Sequence, residues 1–342
     1  MPKRINNIFK EQISFTKLLE AHQKTKKGKR FKKQVIEFEM DLETNLLQIG
    51  RELLDGTYEF SKYFEFTIYE PKERKIKTLS YRDRVVQTWY VENFLKPYFL
   101  PQFIDDTYAC IEGKGTHKAV EKMQDYLRRA NRKYTEVWVL KCDISKFFFN
   151  INREILFELI KRKIKDKNFL EFTKKIIFYD EEKVGIPIGN YTSQFFANIY
   201  MNELDKYIKE TLKIEYMVIY MDDFVLLLKS KKQAKETLNK IETFLTEKLE
   251  LKLNSKTAYF KESQGINFCG FRIWKTHRLL REQSKKKMKR KLKNFQKLYQ
   301  KGKIELPYIT ACINSWKGHS KHCNSYHLVN KMLNEFVLKR NS

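Results

Sequence analysis

The residues most able to do chemistry are acids that interrupt apolar runs. Tyr216 to Ile219 and Phe224 to Leu228 are short stretches of β-branched, aromatic and aliphatic residues, the composition of buried strands. Between them stand Tyr220, Met221, Asp222 and Asp223. A surface Asp-Asp turn is one reading of this hairpin. A turn that only reverses the chain favours Asn-Gly or Asp-Gly, however, and no glycine is present. Ionised carboxylates beside buried strands are costly unless cations or donors meet them, so a tip that holds divalent metal is the preferred reading. A two-ion centre, with metals roughly 4 Å apart, needs a further acid from another strand. The apolar run from Val137 to Cys142 supplies one, with Asp143 at its C-terminal end and Ile144 next.

A strand ending in Asp, followed by a hairpin carrying Asp-Asp, is the arrangement of a nucleotidyl-transfer palm. Tyr-Met-Asp-Asp at 220–223 is also the signature tetrapeptide of reverse transcriptases, which the chain resembles from about Lys72 to Arg272. The resemblance implies an α+β, right-hand polymerase with fingers, an antiparallel-sheet palm and a helical thumb. Residues 1–60 would be an N-terminal helical extension, 61–274 the interleaved fingers and palm, and 275–342 a basic helical thumb. The implied activity is RNA-directed DNA synthesis from deoxynucleoside triphosphates on a primer, with Mg2+ as a pair of ions and Mn2+ able to substitute. Asp143, Ile144, Asp222 and Asp223 form the implied metal set, the three aspartates being the catalytic residues.

The same resemblance assigns further positions. Arg74 would lie over the triphosphate of the incoming nucleotide, in a basic segment that includes Lys72, and Arg82-Asp83-Arg84 would open the fingers helix. Phe148, five residues after Asp143, would reject a 2′-hydroxyl, although a core role among three consecutive Phe explains it equally. Lys256 would stand near the leaving pyrophosphate, or be one of many surface lysines. Gly113-Lys114-Gly115-Thr116-His117 opens a helix with glycines and cations, a weak phosphate cradle near the template. His117 there reads as a hydrogen-bonding or packing residue and not a general base, and with Lys72, Arg82 and Lys114 it is an expected nucleic-acid contact. Tyr220, and Gly270 in a hairpin resembling the primer grip, complete the expected nucleic-acid contacts of the palm.

Between Gly185 and Gln194 a Pro-x-Gly turn leaves room for a close-approaching base pair. Most retroviral and intron enzymes have Gln before that glycine and Ser-Pro further on. This chain has Ile188 before Gly189, and Ser193-Gln194. Gly-Asn-x-Thr-Ser-Gln resembles the reverse transcriptases of diversity-generating retroelements. That implies a template-repeat RNA, mutagenic copying at template adenines, and a small, basic, oligomeric accessory protein. Retron and phage-defence reverse transcriptases are the alternative within enzymes, and a non-catalytic RNA-binding protein on the same scaffold is the alternative outside them. A group II intron maturase fits less well.

Helical spacing of apolar residues predicts one amphipathic helix from Phe31 to Leu54, preceded by a basic run, Lys24 to Arg30, that is either a solvated loop or a phosphate contact. A strand is expected from Tyr63 to Pro71, and helices over Arg82–Leu95, Ala119–Arg132 and Arg153–Lys163. Another is expected from Phe195 to Ile208, capped by Thr192 or Ser193. A helix marked by Ala234 to Leu249 then leads to a strand over Leu251–Phe260. In the C-terminal segment Met288, Leu292, Phe295 and Leu298 share a stripe, leaving Lys286, Lys289, Arg290 and Lys293 to lie along a duplex.

Composition bounds the partners. Lys and Arg number 69 against 42 Asp and Glu, a formal charge of +27, which calls for a polyanion. The charge favours nucleic acid over an anionic membrane, and 19 Tyr, 26 Phe and 4 Trp add the stacking surfaces a single strand needs. Five scattered cysteines form no disulfide pattern. Without an apolar N-terminal leader or a run of about 18 apolar residues, the expected location is the cytoplasm of a bacterium or phage-infected host. Cys312, His319, His322, Cys323 and His327 lack the paired spacing of a zinc site. No RNase H or endonuclease module is expected, since the thumb takes up the C-terminal residues.

Overall fold

The computed structural model describes residues 5–69 and 73–340, so Lys72 lies outside the described residues. In chain order come helices α1 (Phe15–Lys26), α2 (Lys33–Met40) and α3 (Leu42–Asp55), and strands β1 (Phe64–Ile68) and β2 (Arg74–Thr78). Helices α4 (Tyr81–Tyr90), α5 (Lys96–Phe99) and α6 (Thr116–Lys133) lead to strand β3 (Trp138–Asp143). Helices α7 (Phe147–Asn150), α8 (Arg153–Lys163), α9 (Lys167–Ile177) and α10 (Tyr191–Lys206) follow, then β4 (Tyr216–Tyr220), β5 (Asp223–Leu228) and α11 (Lys231–Leu249). The chain continues through β6 (Ala258–Lys261), β7 (Ile266–Phe268), β8 (Phe271–Ile273) and β9 (Arg278–Leu280) to α12 (Glu282–Gln300), α13 (Leu306–Ser320) and α14 (Tyr326–Asn334).

These elements form two compact units interleaved along the sequence. The first comprises the described residues up to Cys110, with Asp143–Lys213 and Asn239–Lys256. The second comprises Ile111–Cys142, Ile214–Leu238 and the described residues from Thr257 onward.

The first unit is built around aromatic rings. Phe9 stacks on Phe94 at 5.5 Å and meets Trp89 edge-on at 5.6 Å, while Tyr90 stacks on Phe169 at 5.5 Å. Asp166 fixes the N-terminal segment to this cluster. It accepts from the backbone N–H of Ile8 (2.7 Å) and Phe9 (3.1 Å), and it also caps α9 through the N–H of Phe169 (3.0 Å). Asp83 is a second buried acid with a full set of donors: the Tyr58 hydroxyl (2.6 Å), the Ser80 hydroxyl (2.7 Å), and Ser61 through both its N–H and its hydroxyl. Those donors offset the cost of burying the carboxylate.

The second unit carries a four-stranded sheet in the order β4-β5-β3-β6. Strands β4 and β5 are antiparallel, with Tyr220 opposite Asp223, and β3 and β6 are antiparallel, with Trp138 opposite Lys261. Helix α6 covers β4, burying Met123 and Leu127 and placing the Tyr126 ring 5.3 Å from Tyr216. A separate sheet, β7-β8-β9, precedes the C-terminal helices. There Met288, Leu292 and Phe295 of α12 pack with Ile309 of α13 and Met332 of α14, while Lys286, Lys289, Arg290 and Lys293 stay exposed. That is the division of faces expected for α12.

Several sequence-based boundaries move, each for a local reason. The single helix expected over 31–54 breaks at Asp41, whose φ of −131° is not helical, because Asp is a weak helix former that favours helix ends. Helix α10 begins at Tyr191, so Thr192 and Ser193 are buried in its first turn instead of capping it. The strand expected over 251–260 is split by a turn at Asn254, whose side chain accepts from the N–H of Lys256 (3.0 Å). The first three of the seven residues in the basic run at 24–30 belong to α1, which sequence spacing did not predict. There Lys24 pairs with Glu92, and Lys26 with Glu39.

Candidate active site

The acids stand where strands end. β4 and β5 are joined by the two-residue turn Met221-Asp222, and Asp223 is the first residue of β5. Met221 takes a left-handed φ of +58° although it is not glycine. Such a residue costs about 1–2 kcal/mol, so the turn is held by the strands it joins. Met221, Asp222 and Asp223 are all half-buried. Strand β3, the neighbour of β5, ends at Asp143. Two residues earlier on β3, and therefore on the same face, Lys141 pairs its ammonium with Asp223.

That ion pair tests whether the set suits a hard cation. Asp223 presents an oxygen that already draws a positive charge, and carboxylate oxygen is the donor Mg2+ prefers. Among the described residues, no group of three or more His, Cys, Asp or Glu side chains stands ready at metal-holding distance. Cys269, in the turn between β7 and β8, has its thiol pushed up by burial and by the charge of Asp223, so it is a packing group and no nucleophile. Gly270 beside it has φ of +88° and Cys269 +45°, the pair of left-handed residues that a tight hairpin turn requires.

In the first unit, the segment after Asp143 is tied to the segment after α11. Asn254 donates its N–H to the Asp143 carbonyl (2.7 Å), Ser145 donates to the Lys252 carbonyl (2.9 Å), and Ile144 bridges to Leu253. The three phenylalanines then separate by environment. Phe147 is buried, Phe148 half-buried and Phe149 exposed, so Phe148 is not simply one of three core residues. Its carbonyl accepts from the N–H of Ile186 (2.8 Å), which joins it to the Pro-x-Gly loop.

The loop from Gly185 to Asn190 is held closely from both sides. Lys77 of β2 donates its N–H to the Ile188 carbonyl (3.0 Å). A Cβ on Gly189, whose φ is +120°, would fall 2.8 Å from Ile76 Cγ2 and 3.0 Å from the Lys77 carbonyl oxygen. Only glycine lets β2 lie this close. Asn190 donates through Nδ2 to the Tyr63 hydroxyl (2.8 Å). Arg74 begins β2 and is exposed; Lys256 is exposed in its turn.

Other expected contacts are occupied within the fold. Arg82 pairs with Glu52 (2.6 Å) and lies over the Tyr58 ring at 4.8 Å. His117 stacks on His322 with ring centroids 3.5 Å apart, and burial lowers its pKa, with the His322 charge adding to the effect, in keeping with a packing role. Lys114 lies between Gly113 and Gly115, both at positive φ. Sequence reasoning missed Lys141 and Arg153. Lys141 could have been found by counting two residues back along β3, whereas the partners of Arg153 lie 27 and 32 residues away and leave no local signal.

Comparison with known proteins gives one family. The model described as Reverse transcriptase (RNA-dependent DNA polymerase) matches residues 70–273. The Group II intron-encoded protein LtrA of Lactococcus lactis is 26% identical over 185 residues, covering 51% of this chain and 30% of that protein. A putative COX1/OXI3 intron 2 protein of Saccharomyces cerevisiae is 24% identical over 220 residues, covering 45% of this chain and 25% of its own length. The chain thus spans under a third of each of these relatives. Among solved structures, apo telomerase from Candida tropicalis, truncated from its C-terminal domain, aligns with a TM-score of 0.51 at 14% identity, covering 65% of this chain and 55% of that one.

Proposed function

The chain belongs to the reverse transcriptase (RNA-dependent DNA polymerase) family and has the right-hand polymerase fold, and from that premise we propose that it copies an RNA template by extending a DNA or RNA primer with deoxynucleotides. The observation that carries this reading is the placing of the acids: Asp143 ends β3, Asp223 begins the neighbouring β5, and Asp222 lies in the turn before it. Asp143, Asp222 and Asp223, with Ile144 beside the first, are the proposed holders of two Mg2+ ions, which Mn2+ can replace. Bound there, the ions would lower the pKa of the attacking 3′-hydroxyl and neutralise the departing pyrophosphate.

The chain's own residues do the rest by positioning. Arg74, exposed at the start of β2, would meet the triphosphate, and Lys256 the pyrophosphate. Phe148 excludes a 2′-hydroxyl, and Ile188 with Gly189 forms the surface against the base pair. Lys114, Tyr220, Gly270 and the exposed cations of α12 follow the nucleic acid. In a primer-extension assay with Mg2+ on an RNA template, Asp222→Ala is expected to abolish synthesis while RNA binding stays near that of the unmodified chain. A variant that keeps full activity would end the assignment.

The finer proposal is a diversity-generating retroelement enzyme, acting in the cytoplasm of a bacterial or phage-infected host with a template-repeat RNA and a small basic accessory protein. It is supported by Gly189-Asn190 followed by Thr192-Ser193-Gln194, and by Ile188. An aliphatic side chain offers no hydrogen bond where other polymerases present an amide, which loosens selection of the base pair. Ile188→Gln is therefore expected to lower misincorporation opposite template adenine, read by sequencing the cDNA; an unchanged error spectrum counts against the subfamily. The likeness to LtrA favours a second reading, an intron-type enzyme. That enzyme would bind its own structured RNA and show no adenine bias.

A further inference from the structure

Arg153 is one of the most deeply buried large side chains in the protein, only 1% exposed at the N-terminus of α8, and nothing in the proposed chemistry uses it. Its guanidinium donates through Nε to the Gly185 carbonyl (2.6 Å) and through an Nη to an Asp180 carboxylate oxygen (2.5 Å). Its flat face covers the Tyr179 ring at 4.3 Å. From elsewhere on the same ring, at 5.3 Å, comes the ammonium of Lys77, which is also 3.8 Å from Asp180. Burial opposes ionisation of Asp180, but the hydrogen bond and charge of Arg153 outweigh it and hold the carboxyl below its usual range.

The two residues whose cations meet at Tyr179 are also bonded to one loop. Arg153 holds its start through Gly185, while Lys77 holds Ile188 through its backbone N–H (3.0 Å). An arginine can do this where a lysine cannot, because its planar fork donates in two directions while it stacks on a ring. A guanidinium this buried is costly to desolvate, and a core of the same volume needs no charge, so its placement calls for a use beyond stability.

We propose that Arg153, with Asp180 and Tyr179, is a positioning residue that sets the distance between strand β2 and the Gly185–Asn190 loop, and through it the fit of the incoming nucleotide. The proposal rests on the polymerase reading above. Arg153 touches no substrate; it acts through Lys77 and Ile188.

Arg153→Lys keeps the charge and loses the fork. Single-nucleotide incorporation on an RNA template is expected to show KM for the deoxynucleotide raised about tenfold, with kcat within about twofold. Discrimination against ribonucleotides should fall in the same variant. Asp180→Asn, which leaves the Gly185 bond in place, should give a smaller rise and serves if the lysine variant folds poorly. Hydrogen–deuterium exchange gives a readout that needs no catalysis: the Lys77 amide should exchange faster in Arg153→Lys, while amides of the Phe9 and Trp89 cluster stay protected. Unchanged exchange at Lys77, or unchanged KM and discrimination in a folded variant, overturns the proposal. If the unmodified chain incorporates nothing, the polymerase reading fails, and exchange at Lys77 still decides the linkage.

Discussion

Single buried acids in this chain differ by their donors, and for Asp205 the shortage ties stability to pH. Asp83 has several donors, whereas fully buried Asp205 on α10 receives one bond, from the Thr107 hydroxyl at 3.2 Å. Burial accordingly pushes the Asp205 carboxyl up to about 8 from an ordinary 3.8. Between those values the folded chain keeps a proton that the unfolded chain releases. Its contribution is therefore most favourable at the acid end, and stability declines as pH rises towards 8. Asp205→Asn removes the ionisable group without changing its size. Thermal unfolding should show a higher midpoint for the variant, with a gain larger at pH 8 than at pH 5; equal gains at both would contradict this account. At the acidic turn Asp222 and Asp223 are half-buried, and Lys141 supplies Asp223 with a positive charge.

Elements place those residues, and the closest fit is between β2 and the loop at Gly189. A side chain there would need a φ of +120°, at a cost of about 1–3 kcal/mol, and its Cβ would meet a backbone oxygen that cannot move aside. Gly189→Ala is expected to lower primer extension and raise the nucleotide KM while circular dichroism of the whole chain changes little. Wild-type kinetics in that variant would mean that β2 can shift freely. The strands that flank or carry Asp143, Asp222 and Asp223 were legible in the sequence because a short apolar run that stops at an acid suits a buried strand and little else. Helix α8 was found at its true boundaries for a similar reason, its apolar face being continuous. Helix α1 was not legible, since its buried face is Leu18, Ala21, His22 and Thr25, where polar types hide the period. His22 is buried only because Glu39 and the Tyr81 hydroxyl, each at 3.1 Å, satisfy its ring. Strand β9, three residues pairing to β8, was missed. The role of Arg153 depends on tertiary partners and could not be read from local pattern.

At the scale of the whole molecule, charge and acids divide the work. The formal charge is +27, and α12 shows how cations are kept outward by burying Met288, Leu292 and Phe295. Against that excess, the proposed metal centre rests on the acids at the end of β3 and around the β4–β5 turn. The family match extends over 70–273 and so includes both acidic segments. The most direct test of that account counts metal. Mn2+ bound to the chain with an RNA template, a primer and a deoxynucleotide can be titrated by electron paramagnetic resonance. The account predicts two ions for the unmodified chain, with loss of binding in Asp143→Asn as well as in Asp222→Asn. Full Mn2+ binding in Asp143→Asn would contradict it, because β3 would then contribute nothing to the metal centre.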